Sequence, residues 1–238
     1  MQLAEHTVMI VGGTSGIGYA IASAVAERGA TPIILSRRQT SVDRALASLP
    51  AGARGGTVDL TDAASVAALA TAFGPIDHLV YTAGEALELV RVADMTPEIV
   101  QGFFETRFVG ALSVVRAVAP MLRAGGSITL TSGSAAGRPG SGWALGASVC
   151  GAVNSLTRAL AVELAPVRVN AVSPGVVRSP LWNNLSDNDR EGMYEAGFGL
   201  PVGRIGEVDD VALAYVYAME QEYSTGAIIS VDGGSALV

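Results

Sequence analysis

The chain has 238 residues, half of them hydrophobic and 16% charged, with a formal net charge of −7. That length and apolar content fit one large α/β domain spanning residues 1–238 and exclude an intrinsically disordered chain. The acidic balance, with Arg37-Arg38 as its one pair of adjacent basic residues, argues against nucleic acid or an anionic membrane as partner.

Four apolar residues, Val8-Met9-Ile10-Val11, run straight into Gly12, Gly16 and Gly18, and a helical pattern follows from Ile17 to Arg28. This reads as a buried strand, a tight turn and a helix N-terminus. Gly12 permits the turn, Gly16 admits a ligand close to the backbone, and Gly18 lets helix pack on strand. The N–H groups around Thr14, Ser15 and Ile17 then face the mouth of the turn, where a phosphate belongs. An ordinary β–α turn is the alternative, but a second strand over Thr31–Ser36 supplies the βαβ context of a dinucleotide site. That strand ends in Ser36-Arg37-Arg38 with no Asp or Glu to accept from the ribose of NAD. A guanidinium pair suits the 2′-phosphate of NADP(H) instead.

A third strand is expected over Arg54–Leu60, ending Val58-Asp59-Leu60, and an alanine-rich helix over Ala63–Phe73 capped from Thr61-Asp62. Ile76–Tyr81 is a buried strand, followed by the small residues Thr82-Ala83-Gly84. From Pro97 to Arg123 the pattern predicts one long helix, stopped at Gly125-Gly126. Ser127–Thr131 is a strand, and Ala147–Leu164 a helix apolar or small nearly all round, which predicts burial on both sides and a partner subunit. Arg168–Val172 is a strand leading into Pro174-Gly175-Val176-Val177. Residues 181–203 then interrupt the alternation with Trp182 and Tyr194, as a substrate lid would. Glu207–Met219 and Ala227–Val231 close the chain as helix and strand. The alternation predicts a doubly wound parallel sheet of seven strands in the order 3-2-1-4-5-6-7, with helices on both faces.

The single cysteine, Cys150, excludes an internal disulfide and fits a reducing compartment. The strand pattern opens at Val8, so no signal peptide is expected, and no uninterrupted apolar run approaches the ~18 residues of a membrane span. A cytoplasmic protein is the expectation. No metal-ligating constellation stands out.

Over nearly its whole length the chain resembles the short-chain dehydrogenase/reductase family. The matches are Gly12-x-x-x-Gly16-x-Gly18, Asp59-Leu60, Thr82-Ala83-Gly84 in place of Asn-Asn-Ala-Gly, and Arg168 through Gly175. Gly203 through Glu207 and Val231-Asp232-Gly233-Gly234 complete them. The resemblance implies a Rossmann fold, NAD(P)H as cofactor, and a homodimer or homotetramer. It places Asp59-Leu60 at the adenine and Ser179 at the nicotinamide carboxamide.

The family's proton machinery of Ser, Tyr-x-x-x-Lys and Asn matches far less. All fifteen basic residues are arginine, so no alignment supplies the lysine. Counting back from Ala161, the tyrosine position falls on Gly146 and the lysine position on Cys150. The asparagine position is Arg107, and the serine position falls on Gly133, beside Ser132. Arg107 is a poor acid but a good fixed charge, and Ser132 can hydrogen-bond a substrate oxygen; these are the catalytic candidates. Trp143, Trp182 and Tyr194 are expected to line the substrate. Two readings follow. One is an NADP(H)-dependent oxidoreductase of a small organic substrate with a non-standard active site. The other is a catalytically silent NADP(H)-binding protein, a sensor or the inactive partner of a paralogue.

Overall fold

A computed structural model describes residues 3–238. Strands β1 (Thr7–Val11), β2 (Thr31–Ser36), β3 (Arg54–Thr57), β4 (Ile76–Tyr81), β5 (Leu122–Thr131) and β6 (Arg168–Pro174) come first. The two-residue strands β7 (Val177–Arg178) and β8 (Gly206–Glu207) follow, and then β9 (Ile228–Val231). Seven of these form one parallel sheet in the order β3-β2-β1-β4-β5-β6-β9, while β7 and β8 pair separately. Counted within the main sheet, that is the expected 3-2-1-4-5-6-7.

Alternation along β1 sorts its side chains between two cores. Val8 and Ile10 face α1 (Gly16–Ala26) and α8 (Val208–Glu220), and Met9 and Val11 face α3 (Ala63–Ala72), α5 (Ala111–Val118) and α6 (Ala144–Glu163). All four are at most 1% exposed, and burial of each contributes ~1.5–3 kcal/mol. Because every connection leaves a strand's C-terminal end, the turns after β1, β4, β5 and β6 open on one edge of the sheet, where ligands bind in folds of this type.

The helices start where the sequence offers caps. Asp62 accepts from the Ala64 N–H at the head of α3, and Thr96 precedes Pro97 at the head of α4 (Pro97–Phe104). Glu207 and Asp210 form a reciprocal capping box at the head of α8. At the other end of α8, Arg168 donates to the carbonyls of Ala218, Met219 and Gln221.

Several expectations are corrected. The helix expected from Pro97 to Arg123 is broken: α4 passes into a wide π-helical turn over Glu105–Gly110, and then α5 ends near Pro120. The Tyr81 hydroxyl donates to the Thr106 carbonyl inside that turn, and a Cβ on Gly110 would lie 2.7 Å from it. A side chain inserted into the hydrogen-bond ladder is a known cause of such a bulge. Strand β5 begins before Gly125-Gly126, at Leu122, with its register to β4 shifting between Ile76 and His78. Strand β3 stops at Thr57, and a helix the sequence reading did not anticipate, α2, spans Gln39–Leu46. Helix α6 stands apart from these corrections: it buries one side within the chain, on Leu145, Val149, Val153 and Leu160, and Val162, 81% exposed, lies on the side where a partner was expected. With 20 residues it is long and apolar enough to cross a membrane by length and composition, and here it lies against the sheet. The lid contains its own helix, α7 (Asp187–Glu195).

Candidate active site

The cleft along the C-terminal strand edge encloses about 490 Å³. Its floor is the turn after β1. Gly12 and Gly16 have φ of +88° and +53°, and Gly18 has no room for a side chain, since a Cβ would lie 2.2 Å from the Gly12 carbonyl oxygen. Helix α1 starts at Gly16 with no side-chain cap on its first turn, leaving N–H groups directed at the cleft. Thr14, Ser15 and Ile17 line the same floor.

At one end stand Ser36 at the end of β2 and Arg37 and Arg38 just after it, with Asp59 and Leu60 beyond β3. Among the described residues neither arginine enters a salt bridge. Asp59 accepts from the Thr61 hydroxyl and N–H, which hold its carboxyl below the usual range, with the Arg37 charge adding to the effect.

The middle of the cleft is Thr82-Ala83-Gly84 on one side and Pro174-Gly175-Val176-Val177 with Ser179 on the other. Thr82 is locked to β1 by its N–H and hydroxyl, both on the Val11 carbonyl at 2.8 and 3.0 Å. The Ser179 hydroxyl is buried at the cleft wall with no partner among the described residues, and a buried hydroxyl without a bond is costly unless a ligand takes it. A cradle of glycines, a free helix N-terminus, two unpaired arginines and an orphaned hydroxyl together fit a dinucleotide phosphate.

The far end gathers Arg107, Ser132, Gly146 and Cys150. Arg107 turns inward from the π turn: its side chain is 15% exposed and donates to the Glu85 carbonyl at 2.5 Å. It also stacks over Phe103, 4.5 Å from the ring centroid. Burial lowers its pKa, opposed chiefly by the Glu85 carboxylate and, where they ionise, by Cys150 and Tyr81. Ser132 donates to the Cys150 carbonyl at 3.2 Å. The Cys150 thiol is pushed up to about 11 by burial, against the Ser132 hydrogen bond and the Arg107 charge, and so stays neutral. Burial also raises the Tyr81 phenol above its usual range, with the Glu85 charge in support and Arg107 opposed.

Trp143 and Trp182 line this end, their centroids 6.1 Å apart. Tyr194 corrects the expectation: it packs behind the wall in the core of the lid, its ring held under Arg178 at 4.4 Å. Sequence reasoning passed over Glu85 and Phe103, both on the wall. The signal for Glu85 was its place directly after Gly84, one residue past a ligand-facing turn.

The family profile described as Enoyl-(Acyl carrier protein) reductase matches residues 11–236. The chain is 35% identical to the short-chain dehydrogenase/reductase malC of Malbranchea aurantiaca, over 99% of its own length and 96% of the relative's. The solved structure of MalC reductase/Diels-Alderase superposes with a TM-score of 0.89 at 34% identity, covering 98% of this chain and 97% of that one. An NADPH-bound short chain oxidoreductase from Pseudomonas aeruginosa PAO1, described as containing an atypical catalytic center, gives a TM-score of 0.89 at 28% identity, covering 97% and 96%.

Proposed function

Because the chain belongs to the short-chain dehydrogenase/reductase family, we propose that it is an NADP(H)-dependent oxidoreductase of a small organic substrate with a non-standard active site. The carrying observation is the pair Gly146 and Cys150, one helical turn apart on the cleft wall, where the family resemblance calls for a tyrosine and a lysine. NADP(H) supplies or takes the hydride. The turn from Gly12 to Gly18 receives the pyrophosphate, Arg37 and Arg38 the 2′-phosphate, Asp59 and Leu60 the adenine side, and Ser179 the carboxamide.

Without a phenol of lowered pKa, general acid help worth ~10²–10⁴ in rate is missing. Acceptors that need no strong acid, such as an iminium or an activated alkene, lose least. Arg107 keeps its proton and acts as a fixed charge, while Ser132 orients a substrate oxygen. The apolar faces left by Leu112, Val162 and Leu237 favour a homodimer or homotetramer, and a monomer in light scattering would overturn that part. A reducing cytoplasm, which keeps Cys150 a thiol, completes the reading.

The two neutral positions also favour a second reading, a silent NADP(H)-binding protein. Titration with both cofactors comes first: NADPH is expected to bind at least tenfold tighter than NADH, and Arg37→Ala to erase the difference. NADPH turnover is then measured against matched ketones, imines and enones. Imines or enones ahead of ketones support the proposal, NADPH binding without any turnover supports the silent reading, and ketones ahead overturn the non-standard site.

A further inference from the structure

Arg107 is a buried cation whose partners do not settle its charge. Of its five N–H donors, one meets the Glu85 main-chain carbonyl at 2.5 Å, and Nη1 stands 3.6 Å from the Glu85 carboxylate. That contact is long, and the carboxylate competes for the guanidinium without saturating it. Its Oε1 accepts the Thr106 hydroxyl at 2.6 Å, and the side chain is 51% exposed, so water screens it. The Phe103 ring covers one face of the guanidinium and Gly84 lies close by, a Cβ there falling 3.4 Å from Nε. Arg107 itself lines the cavity.

The groups facing Arg107 across that cavity are neutral: the Cys150 thiol, the Ser132 hydroxyl and Gly146. A Cβ on Gly146 would lie 3.4 Å from the Trp143 ring, so the ring packs directly on the glycine and forms the wall at this point. Trp182 sits at an angle of 59° to Trp143, its own N–H already used on the Val177 carbonyl at 2.8 Å. It therefore presents ring rather than donor. An under-compensated cation at one side of an aromatic-walled chamber is complementary to one chemistry.

We infer that this end of the cavity is a recognition site for an aromatic carboxylate, its anionic end on the Arg107 guanidinium and its ring against Trp143 and Trp182. The inference deepens the proposed oxidoreductase reading and names its substrate class. A neutral acceptor of the same shape gains the aromatic contact only. A cationic one meets like charge in a desolvated chamber, so of the acceptors that need no strong acid the site favours an activated alkene bearing the carboxylate over an iminium.

The chain contains two tryptophans, and both are in this wall, which gives the test a readout independent of turnover. Three isosteric probes, 3-phenylpropanoate, 3-phenylpropanamide and 3-phenylpropylammonium, are titrated into the NADP⁺-saturated protein by calorimetry and by tryptophan emission. The carboxylate is expected to bind about ten- to a hundredfold tighter than the amide, with the ammonium weakest, and to perturb the emission. Arg107→Gln should erase the preference. Glu85→Gln, which keeps the main-chain anchor and removes the competing carboxylate, should tighten 3-phenylpropanoate several-fold, an effect a merely structural Arg107 would not give. Equal affinities, a preference for the ammonium, or no binding of any probe overturn the inference. Should Arg107→Gln fail to fold, an unchanged or weaker affinity in Glu85→Gln overturns it alone. NADPH affinity, followed by the cofactor's own emission, tests the oxidoreductase reading separately. Cofactor binding without carboxylate preference sinks only the inference, and carboxylate binding without cofactor binding sinks only the reading beneath it.

Discussion

Replacing Arg168 by Met is expected to be among the most damaging single changes outside the cleft. Arg168 opens β6 at 8% exposure. Its Nη1 donates to the Ala218 and Gln221 carbonyls at 2.7 and 2.8 Å, and its Nη2 to Met219 at 2.8 Å. These are end-of-helix acceptors that α8 cannot satisfy itself, and they carry the negative end of its dipole. Burial lowers the Arg168 pKa, with Glu222 opposing, so part of the gain is spent on desolvation. Truncation keeps the apolar stem but strands three carbonyls, which costs about 3–5 kcal/mol when a buried charged partner is removed. At ~2–4 °C per kcal/mol for a chain of this size, the midpoint should fall by ~10 °C. Urea unfolding followed by far-UV circular dichroism measures the loss. Arg168→Lys should recover part of it, because one ammonium cannot reach three carbonyls in a fork. A loss below ~1 kcal/mol for the Met variant would refute the argument that this guanidinium, rather than apolar packing, holds α8 to β6.

Gly18→Ala should abolish NADPH binding and destabilise by ~1–3 kcal/mol, because its Cβ would sit 2.2 Å from the Gly12 oxygen and 2.6 Å from the Thr82 hydroxyl; wild-type affinity in a calorimetric titration would disprove the tight turn. Ser179→Ala should weaken NADPH binding several-fold and leave the unfolding midpoint unchanged, since its hydroxyl has no partner among the described residues; a lower midpoint without a change in affinity would count against the cofactor role. Burial, with the charges of His6 and Arg168, lowers the His78 pKa from 6.5 to about 3, against Asp77. Between these values the unfolded chain binds a proton that the folded chain refuses, so stability is full above pH 6.5 and falls by about 1.4 kcal/mol per pH unit below it. Urea midpoints at stepped pH should show that slope and show it flattened in His78→Phe, and identical profiles for the two proteins would refute it.

The cofactor half of the cleft was legible because its constraints are local. A turn that needs positive φ at Gly12 and no Cβ at Gly18 writes itself as glycine, and a strand end without an acid is visible in five residues. The break at residues 105–110 was not legible, because its cause is Tyr81, which lies 25 positions away in sequence and meets Thr106 only in the fold. Helix α2 escaped because only Val42 and Ala45 of its eight residues are buried, too few for a periodic signal. Tyr194 was misplaced for a related reason: aromatic residues in a lid read as substrate contacts, and nothing in sequence says that Arg178 takes the ring. Arg107 and Cys150 were located by motif register, but Glu85, which governs how much charge Arg107 presents, became apparent only from distances.

The small ladder between β7 and β8 has an evolutionary consequence. Val177 and Arg178 pair in parallel with Gly206 and Glu207, and an Arg178–Glu207 contact at 3.4 Å reinforces the join. The feet of the excursion are thus stapled together, and α7 is tied to the body through Tyr194. Exposed residues of α7 can be exchanged without pulling on β6, on the head of α8 or on the glycine turn, so long as the buried Tyr194 is kept. Descendants of one such gene can therefore acquire new acceptors by rewriting a single loop and inherit their hydride chemistry unaltered.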